Sequence, residues 1–353
     1  MIKKECFTAD WIEQVSSELH YNDKNLIEKV IRALSLLEML VKAGCPLVFK
    51  GGTALMLILG KSAHRLSIDI DLICPPGTNI EDYLKSFADF GFINLELVER
   101  KQRDDADIPK SHSKFFYQIA YRNDTDAQSY ILLDVLYEDI HYFRTQQIAI
   151  NCPFIRLEGK PLMVTVPSAE DILGDKLTAF APNTTGIPYY KNGRSCSMEI
   201  AKQLYDVGRL FENVSDLQIT KEAFRKIAVV ELSYRSFGTD IGQVFNDIRQ
   251  TALCISTRGK AGEGDFDLIQ DGIIRVKSFM YKQRYLIDHA IIDAARAAYL
   301  ATLIEKGINE IESYSNNPAD IKDMVIRPSL PNKLNKLRSN LPEAYYYWAK
   351  TSE

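Results

Sequence analysis

The chain has no Cys-x-x-Cys pair. Its six cysteines (Cys6, Cys45, Cys74, Cys152, Cys196, Cys254) lie scattered over 353 residues. That spacing argues against a zinc ribbon or a disulfide framework and suits a reducing cytoplasm. No uninterrupted apolar run approaches the length that crosses a bilayer, so no membrane partner is expected. The opening Met-Ile-Lys-Lys-Glu-Cys-Phe passes into a polar, acidic stretch with no apolar core segment, so no signal peptide is expected. There is no excess of one charge. Lys+Arg number 43 against 47 Asp+Glu, a formal net charge of −4. This balance is not that of a general nucleic-acid coat, although a local basic groove remains open. Internal repeats and low-complexity tracts are also missing. What remains is ordinary globular composition, 46% hydrophobic and 25% charged, in a chain long enough for two domains.

The most informative stretch is 47–73. It reads as a short apolar strand at 47–49, a glycine turn at Gly51 and Gly52, a helix opened by Thr53, and a second strand carrying Asp69 and Asp71. Strand side chains alternate, so the two carboxylates share one face while Ile68, Ile70 and Leu72 take the other. Two adjacent acids repel, and a hard divalent cation with oxygen ligands is the usual neutraliser. Alternation alone fits an edge strand with one wet face equally well. The Gly-Gly-Thr run favours function, because glycines between strand and helix let backbone N–H groups approach a phosphate at the helix N-terminus. A phosphate cradle followed by an acid pair is what phosphoryl or nucleotidyl transfer requires.

Downstream, 79–90 reads as an amphipathic helix, and 92–98, 114–121 and 130–136 read as strands. Asp104, Asp105 and Asp107 form a second acidic cluster, read as a solvated turn. Asp134 is expected to be buried among apolar strand residues, where an acid is expensive unless paired, hydrogen-bonded or metal-bound. A cap toward a loop would satisfy it; the acid pair upstream favours a third acid of one site, sharing a metal or taking the proton of an attacking hydroxyl. A strand pair is expected over 144–157 and a short strand at 163–166. Lys176 sits on a helix over 170–180 at the margin of an apolar stripe, where snorkelling and contact with triphosphate oxygens are both open. Asp206, four residues after Lys202, reads as an ordinary helix ion pair. From about 215 onward the pattern is wholly helical, with helices at 221–232, 240–255, 266–281 and 286–306. Asp265 and Asp267 mimic a calcium loop but lack its bidentate acid. The tail's Tyr345, Tyr346, Tyr347 and Trp348, near Lys333, Lys336 and Arg338, read as a terminal helix docking its aromatic side.

Gly51-Gly52-Thr53-Ala54-Leu55 with Arg65-Leu66-Ser67-Ile68-Asp69-Ile70-Asp71-Leu72 resembles the signature of the AbiEii/AbiGii-type nucleotidyltransferase toxins, within the polymerase-β-like superfamily. The likeness extends through 171–189 and on to Lys202-Gln203-Leu204-Tyr205-Asp206. It implies an α+β fold with a small mixed β-sheet nucleotidyltransferase core and flanking helices over 1–195, followed by a helical C-terminal domain over 196–353. It further implies that Gly52 and Thr53, next to Gly51 of the same turn, meet the nucleotide's phosphates and that Asp69 and Asp71 hold Mg2+, which Asp134, read above as the third acid, would share. Arg65 and Ser67 would brace the metal strand or touch phosphate. Lys176 and Asp206 would be an additional functional pair, with Thr178 supporting the lysine. Gln203 departs from the acidic residue that relatives often carry there. The implied activity is nucleotide transfer from a nucleoside triphosphate to an RNA acceptor, with the tRNA 3′ end as the expected target. The implied biology is a cytoplasmic toxin of a bacterial toxin–antitoxin or phage-defence (abortive infection) pair, with a cognate antitoxin from a neighbouring gene. A protein or small-molecule hydroxyl as acceptor, or a non-catalytic nucleotide-binding module, are the competing readings.

Overall fold

The computed structural model describes residues 1–98, 110–122, 127–235, 238 and 240–353. The acidic cluster at Asp104, Asp105 and Asp107 lies outside the described residues. The chain divides into two compact units, Met1–Ser168 with Ser278–Gln283, and Ala169–Lys277 with Arg284–Glu353. The sequence reading placed its division after 195. The structure instead assigns the helix that begins at Ala169 to the second unit, where its apolar side is buried.

The first unit opens with helices α1 (Ala9–Glu18) and α2 (Lys24–Lys42). Thr8 and Asp23 cap them, accepting from the N–H groups of Trp11 and Leu26. Val30, Leu34 and Leu37 of α2 are fully buried against a five-stranded sheet. That sheet comprises β1 (Val48–Lys50), β2 (Ile70–Cys74), β3 (Asn94–Val98), β4 (Lys110–Gln118) and β5 (Gln128–Tyr137). Its order is β1-β2-β5-β4-β3, with β2 and β5 parallel and every other pair antiparallel. Between β1 and β2 runs helix α3 (Gly51–Leu59). A separate hairpin pairs β6 (Thr145–Ala149) with β7 (Met163–Pro167). The strand expected to pair within 144–157 therefore finds its partner later in the chain, at the segment read as a lone short strand. The returning segment Ser278–Gln283 joins this unit through Leu66 N–H to Phe279 O (2.8 Å) and Tyr281 N–H to His64 O (3.1 Å).

Three expectations shift locally. The helix expected over 79–90 is two short 3-10 turns, Ile80–Tyr83 and Phe87–Phe90. Their anchors Ile80, Leu84 and Phe90 are buried, so the apolar spacing is real but no continuous helix carries it. Helix α3 opens at Gly51 rather than at Thr53. Strand β4 starts at Lys110, four positions before the expected 114, because its first residues are polar and read as loop.

The second unit is helical: α4 (Ala169–Ala179), α5 (Ser197–Phe211), α6 (Gln218–Tyr234), α7 (Ile241–Ser256), α8 (Phe266–Val276), α9 (Ile287–Lys306), α10 (Leu337–Asn340) and α11 (Pro342–Ser352), with a two-residue ribbon of β8 (Tyr190–Lys191) and β9 (Arg194–Ser195). Helix α9 is alanine-rich, and Gly208 of α5 lies so close to it that a Cβ would stand 2.0 Å from an Asp293 carboxylate oxygen. Asp265 is an N-cap, accepting from Leu268 N–H at 3.0 Å, which gives the residue read as a false calcium loop a helix-starting role. Tyr345, Tyr347 and Trp348 of α11 are buried, and the Trp348 indole donates to Ser256 Oγ at 3.0 Å. Among the described residues no helix is long and apolar enough to cross a membrane. The observed class is the expected α+β arrangement, a small mixed sheet with helices and a helical unit.

Candidate active site

The register of the sheet sets four charged or polar side chains in one row. Lys50 of β1 is opposite Asp71 of β2, Asp71 is opposite Asp134 of β5, and Asp134 is opposite His112 of β4. Cross-strand partners point to the same face, so the row lies on one side of the sheet. The other side is apolar: Ile70, Leu72, Leu133 and Val135 are buried there. Asp69 immediately precedes β2 and shares the face of Asp71 by alternation. Asp69 and Asp71 are both partly buried.

Asp134 corrects the sequence reading. It is not buried among its apolar neighbours. Ile131, Leu133 and Val135 alternate with it and go inward, while its own side chain is 35% exposed. Its Oδ1 lies 2.5 Å from His112 Nδ1. His112 was not singled out from sequence. The available signal was its alternation in step with Lys114 and Phe116, obscured because the polar start of β4 resembles a loop.

The glycines fit tightly over this row. Gly51 has φ +79°, and a Cβ there would lie 2.1 Å from Asp71 Oδ2. At Gly52 a Cβ would lie 2.7 Å from Ser67 Oγ and 3.0 Å from Arg65 Nη2. The first residues of α3 thus pack directly on the carboxylate and on the Arg65 and Ser67 side chains, which no residue with a side chain could do. The helix N-terminus is the end where negative charge is favoured and where N–H groups lack intrahelical partners. Thr53 is fully buried and its hydroxyl donates to Asp69 O at 2.7 Å. That bond fixes the backbone at Asp69, so any phosphate contact at Thr53 falls to its N–H. Arg65, also buried, donates to Leu66 O at 2.9 Å and bridges to Met280 of the returning segment.

Among the described residues no three His, Cys, Asp or Glu side chains are gathered into a ready-made metal cage. Magnesium does not require one. It keeps several waters and is commonly held by one or two carboxylates plus substrate phosphates. Hard oxygen donors in adjacent register, beside a helix N-terminus, fit that mode of binding.

In the second unit Lys176 of α4 and Asp206 of α5 form a buried pair, Nζ to Oδ2 2.9 Å. Lys176 Nζ also donates to Gln203 Oε1 at 2.9 Å. Asp206 therefore pairs across helices. Gln203, the position that departs from the family pattern, is a second acceptor for the same ammonium. Thr178 donates to Asp175 O, and its carbonyl accepts from Thr185 Oγ1 at 2.8 Å, tying α4 to the loop that follows. That loop closes on the buried Asp247 carboxylate, which accepts from Asn183 N, Asn183 Nδ2, Thr184 Oγ1 and Thr251 Oγ1. Arg235 donates to the carbonyls of Thr184 and Gly186. The turn-rich 181–188 motif is thereby a folded brace around one acid.

A family model, that of the nucleotidyl transferase AbiEii toxin of type IV toxin–antitoxin systems, matches residues 34–319. The chain belongs to the AbiEii nucleotidyltransferase toxin family. The matched span contains the acid row, the glycines, Lys176 and Asp206 alike. Membership makes it a nucleotidyltransferase and a toxin, and implies a nucleoside triphosphate donor and an antitoxin partner. Among solved structures, the JHP933 protein from Helicobacter pylori is 14% identical, with 87% of this chain and 95% of that one covered, at a TM-score of 0.39. MenT4, a nucleotidyltransferase toxin from Mycobacterium tuberculosis, is 13% identical over 83% of this chain and 89% of its own, at a TM-score of 0.42. No curated protein matches the chain significantly.

Proposed function

We propose that this AbiEii-family protein transfers a nucleotide from a nucleoside triphosphate to the terminal hydroxyl of an RNA, with the tRNA 3′ end as the target, in a magnesium-dependent reaction, and that it acts in the cytoplasm as the toxin of an abortive-infection pair. The observation that carries the reading is the Asp71–Asp134 register beside the Gly51–Gly52 helix start. The first turn of α3 receives the triphosphate, its glycines leaving the backbone open to the phosphate oxygens. Asp69 and Asp71 would hold Mg2+, with Asp134 as the further carboxylate. When bound, the ion neutralises charge on the phosphates and on the leaving pyrophosphate. Asp134, steadied by His112, accepts the proton of the attacking hydroxyl as its oxygen bonds to the α-phosphorus and the bond to the departing pyrophosphate breaks. Lys176 and Asp206, with Thr178, enter the proposal from the family resemblance.

The test is incubation of the purified protein with Mg2+, labelled nucleoside triphosphates and total tRNA, followed by separate counting of RNA, protein and small-molecule fractions. Label in the RNA fraction is expected. Label confined to another fraction would reassign the acceptor, and no label in any would overturn the transfer reading.

A further inference from the structure

The exposed face of β4 and β5 continues past the acid row. Four residues before Asp134 on the same face, roughly 13 Å along the strand, stands Tyr130, 40% exposed. Its cross-strand partner is Phe116, with ring centroids 5.7 Å apart. Two ammonium groups converge on the Tyr130 ring from different elements. Lys29 of α2 lies 5.6 Å from the ring centroid and Lys114 of β4 lies 5.5 Å from it. Lys114 Nζ also donates to both carboxylate oxygens of the half-exposed Glu96, at 3.4 and 3.5 Å. Burial pushes the Lys29 ammonium below its usual range, with Asp69 and Asp23 opposing that shift. Two cations gathered on one exposed ring repel each other, which offsets what each gains from the ring face. Their natural complement is an anion carried next to a flat ring.

The direction of the chemistry selects the occupant. In phosphoryl transfer the attacking and leaving oxygens lie roughly in line. The α3 N-terminus sits on the β1 side of the row, so a hydroxyl that attacks a nucleotide bound there approaches from the β5 and β4 side. We propose that this face seats the single-stranded 3′ end of the RNA acceptor: Tyr130 and Phe116 stack on a base, and Lys29 and Lys114 take the flanking phosphates. Aromatic stacking combined with backbone-tracking lysines is how single strands are held without sequence preference. The inference rests on the proposed RNA acceptor and adds the surface that binds it.

The test uses the full chain, a fluorescent single-stranded oligoribonucleotide for binding, and total tRNA for transfer. Tyr130→Ala should weaken oligoribonucleotide binding and raise the KM for tRNA by on the order of tenfold or more, with the KM for the triphosphate unchanged. Tyr130→Phe should restore both. Lys29→Gln and Lys114→Gln should each lower the salt dependence of binding by about 0.7 in log–log slope. Wild type that labels RNA while Tyr130→Ala, Lys29→Gln and Lys114→Gln all keep its binding and KM would overturn the inference and leave the transfer reading standing. A rise in the triphosphate KM alone would overturn it by assigning the ring to the incoming nucleotide. Wild type that neither binds the oligoribonucleotide nor labels RNA would overturn both.

Discussion

The acid row of the first unit and the Lys176–Asp206 pair of the second are both built from charges, and they differ in what satisfies them. The row sets carboxylates in adjacent register on a sheet face, partly open, against a helix start stripped of side chains. The pair is closed: each charge meets the other, and Gln203 takes a further donor position of the lysine. The open arrangement places like charges side by side, with His112 against Asp134 and Lys50 opposite Asp71 as neighbouring cationic or polar groups. The closed one is self-sufficient in the folded protein. At the pair, packing and chemistry have to be separated by experiment.

The largest expected effect lies at the row. Asp69→Ala or Asp71→Ala should abolish cellular toxicity, a loss on the order of 10²–10³-fold or more by analogy with other charge-stabilising groups, while the melting temperature stays near that of wild type. Full toxicity from both would leave the binding-module reading in possession. The pair should respond in the opposite sense. Asp206→Ala strands a buried ammonium and should cost about 3–5 kcal/mol in chemical denaturation. The double change Lys176→Met with Asp206→Leu sharpens the contrast, because an apolar pair of similar volume can replace a buried ion pair with little loss. Recovered stability without recovered transfer is the expected outcome and makes the pair functional; recovery of both would make it purely structural.

Smaller effects follow at the supports. Gly51→Ala forces a side chain into a left-handed position and onto Asp71, and should cost about 1–3 kcal/mol together with loss of transfer. The smallest concerns Asp247, whose carboxyl is raised by burial, with the hydrogen bonds from Asn183, Thr184 and Thr251 opposing. The folded state then holds the proton more tightly than the unfolded one. The stability this confers is complete below the ordinary carboxyl range and is lost as pH rises through the folded value. Urea unfolding across that range should show this decline, and Asp247→Asn should flatten it.

The legibility of these features in sequence follows their physics. Period-2 alternation exposes the Asp69–Asp71 face, and the glycines announce the helix start beside it. The same alternation, pursued along β5, places Asp134 on the wet face; treating the strand as uniformly apolar led to the expectation of burial. His112 and Lys50 join the row only through strand pairing, which spans residues far apart in the chain. The Lys176–Asp206 contact is likewise tertiary. On spacing alone Asp206 belongs to Lys202, and only the family likeness connects it with Lys176. The helical second unit was readable because its apolar periodicity is strong, with 241–256 and 287–306 within a residue or so of expectation. The 79–90 segment was misread because 3-10 turns preserve the apolar spacing of a helix over short distances.

The central claim is that the open row, with its helix start, is the transfer centre. Its most direct test is the rate of label transfer to tRNA by Asp71→Asn, measured at equal concentration with wild type and beside a thermal melt of each. The account predicts an unchanged melt with transfer lost. Transfer at the wild-type rate by a folded Asp71→Asn protein would contradict it.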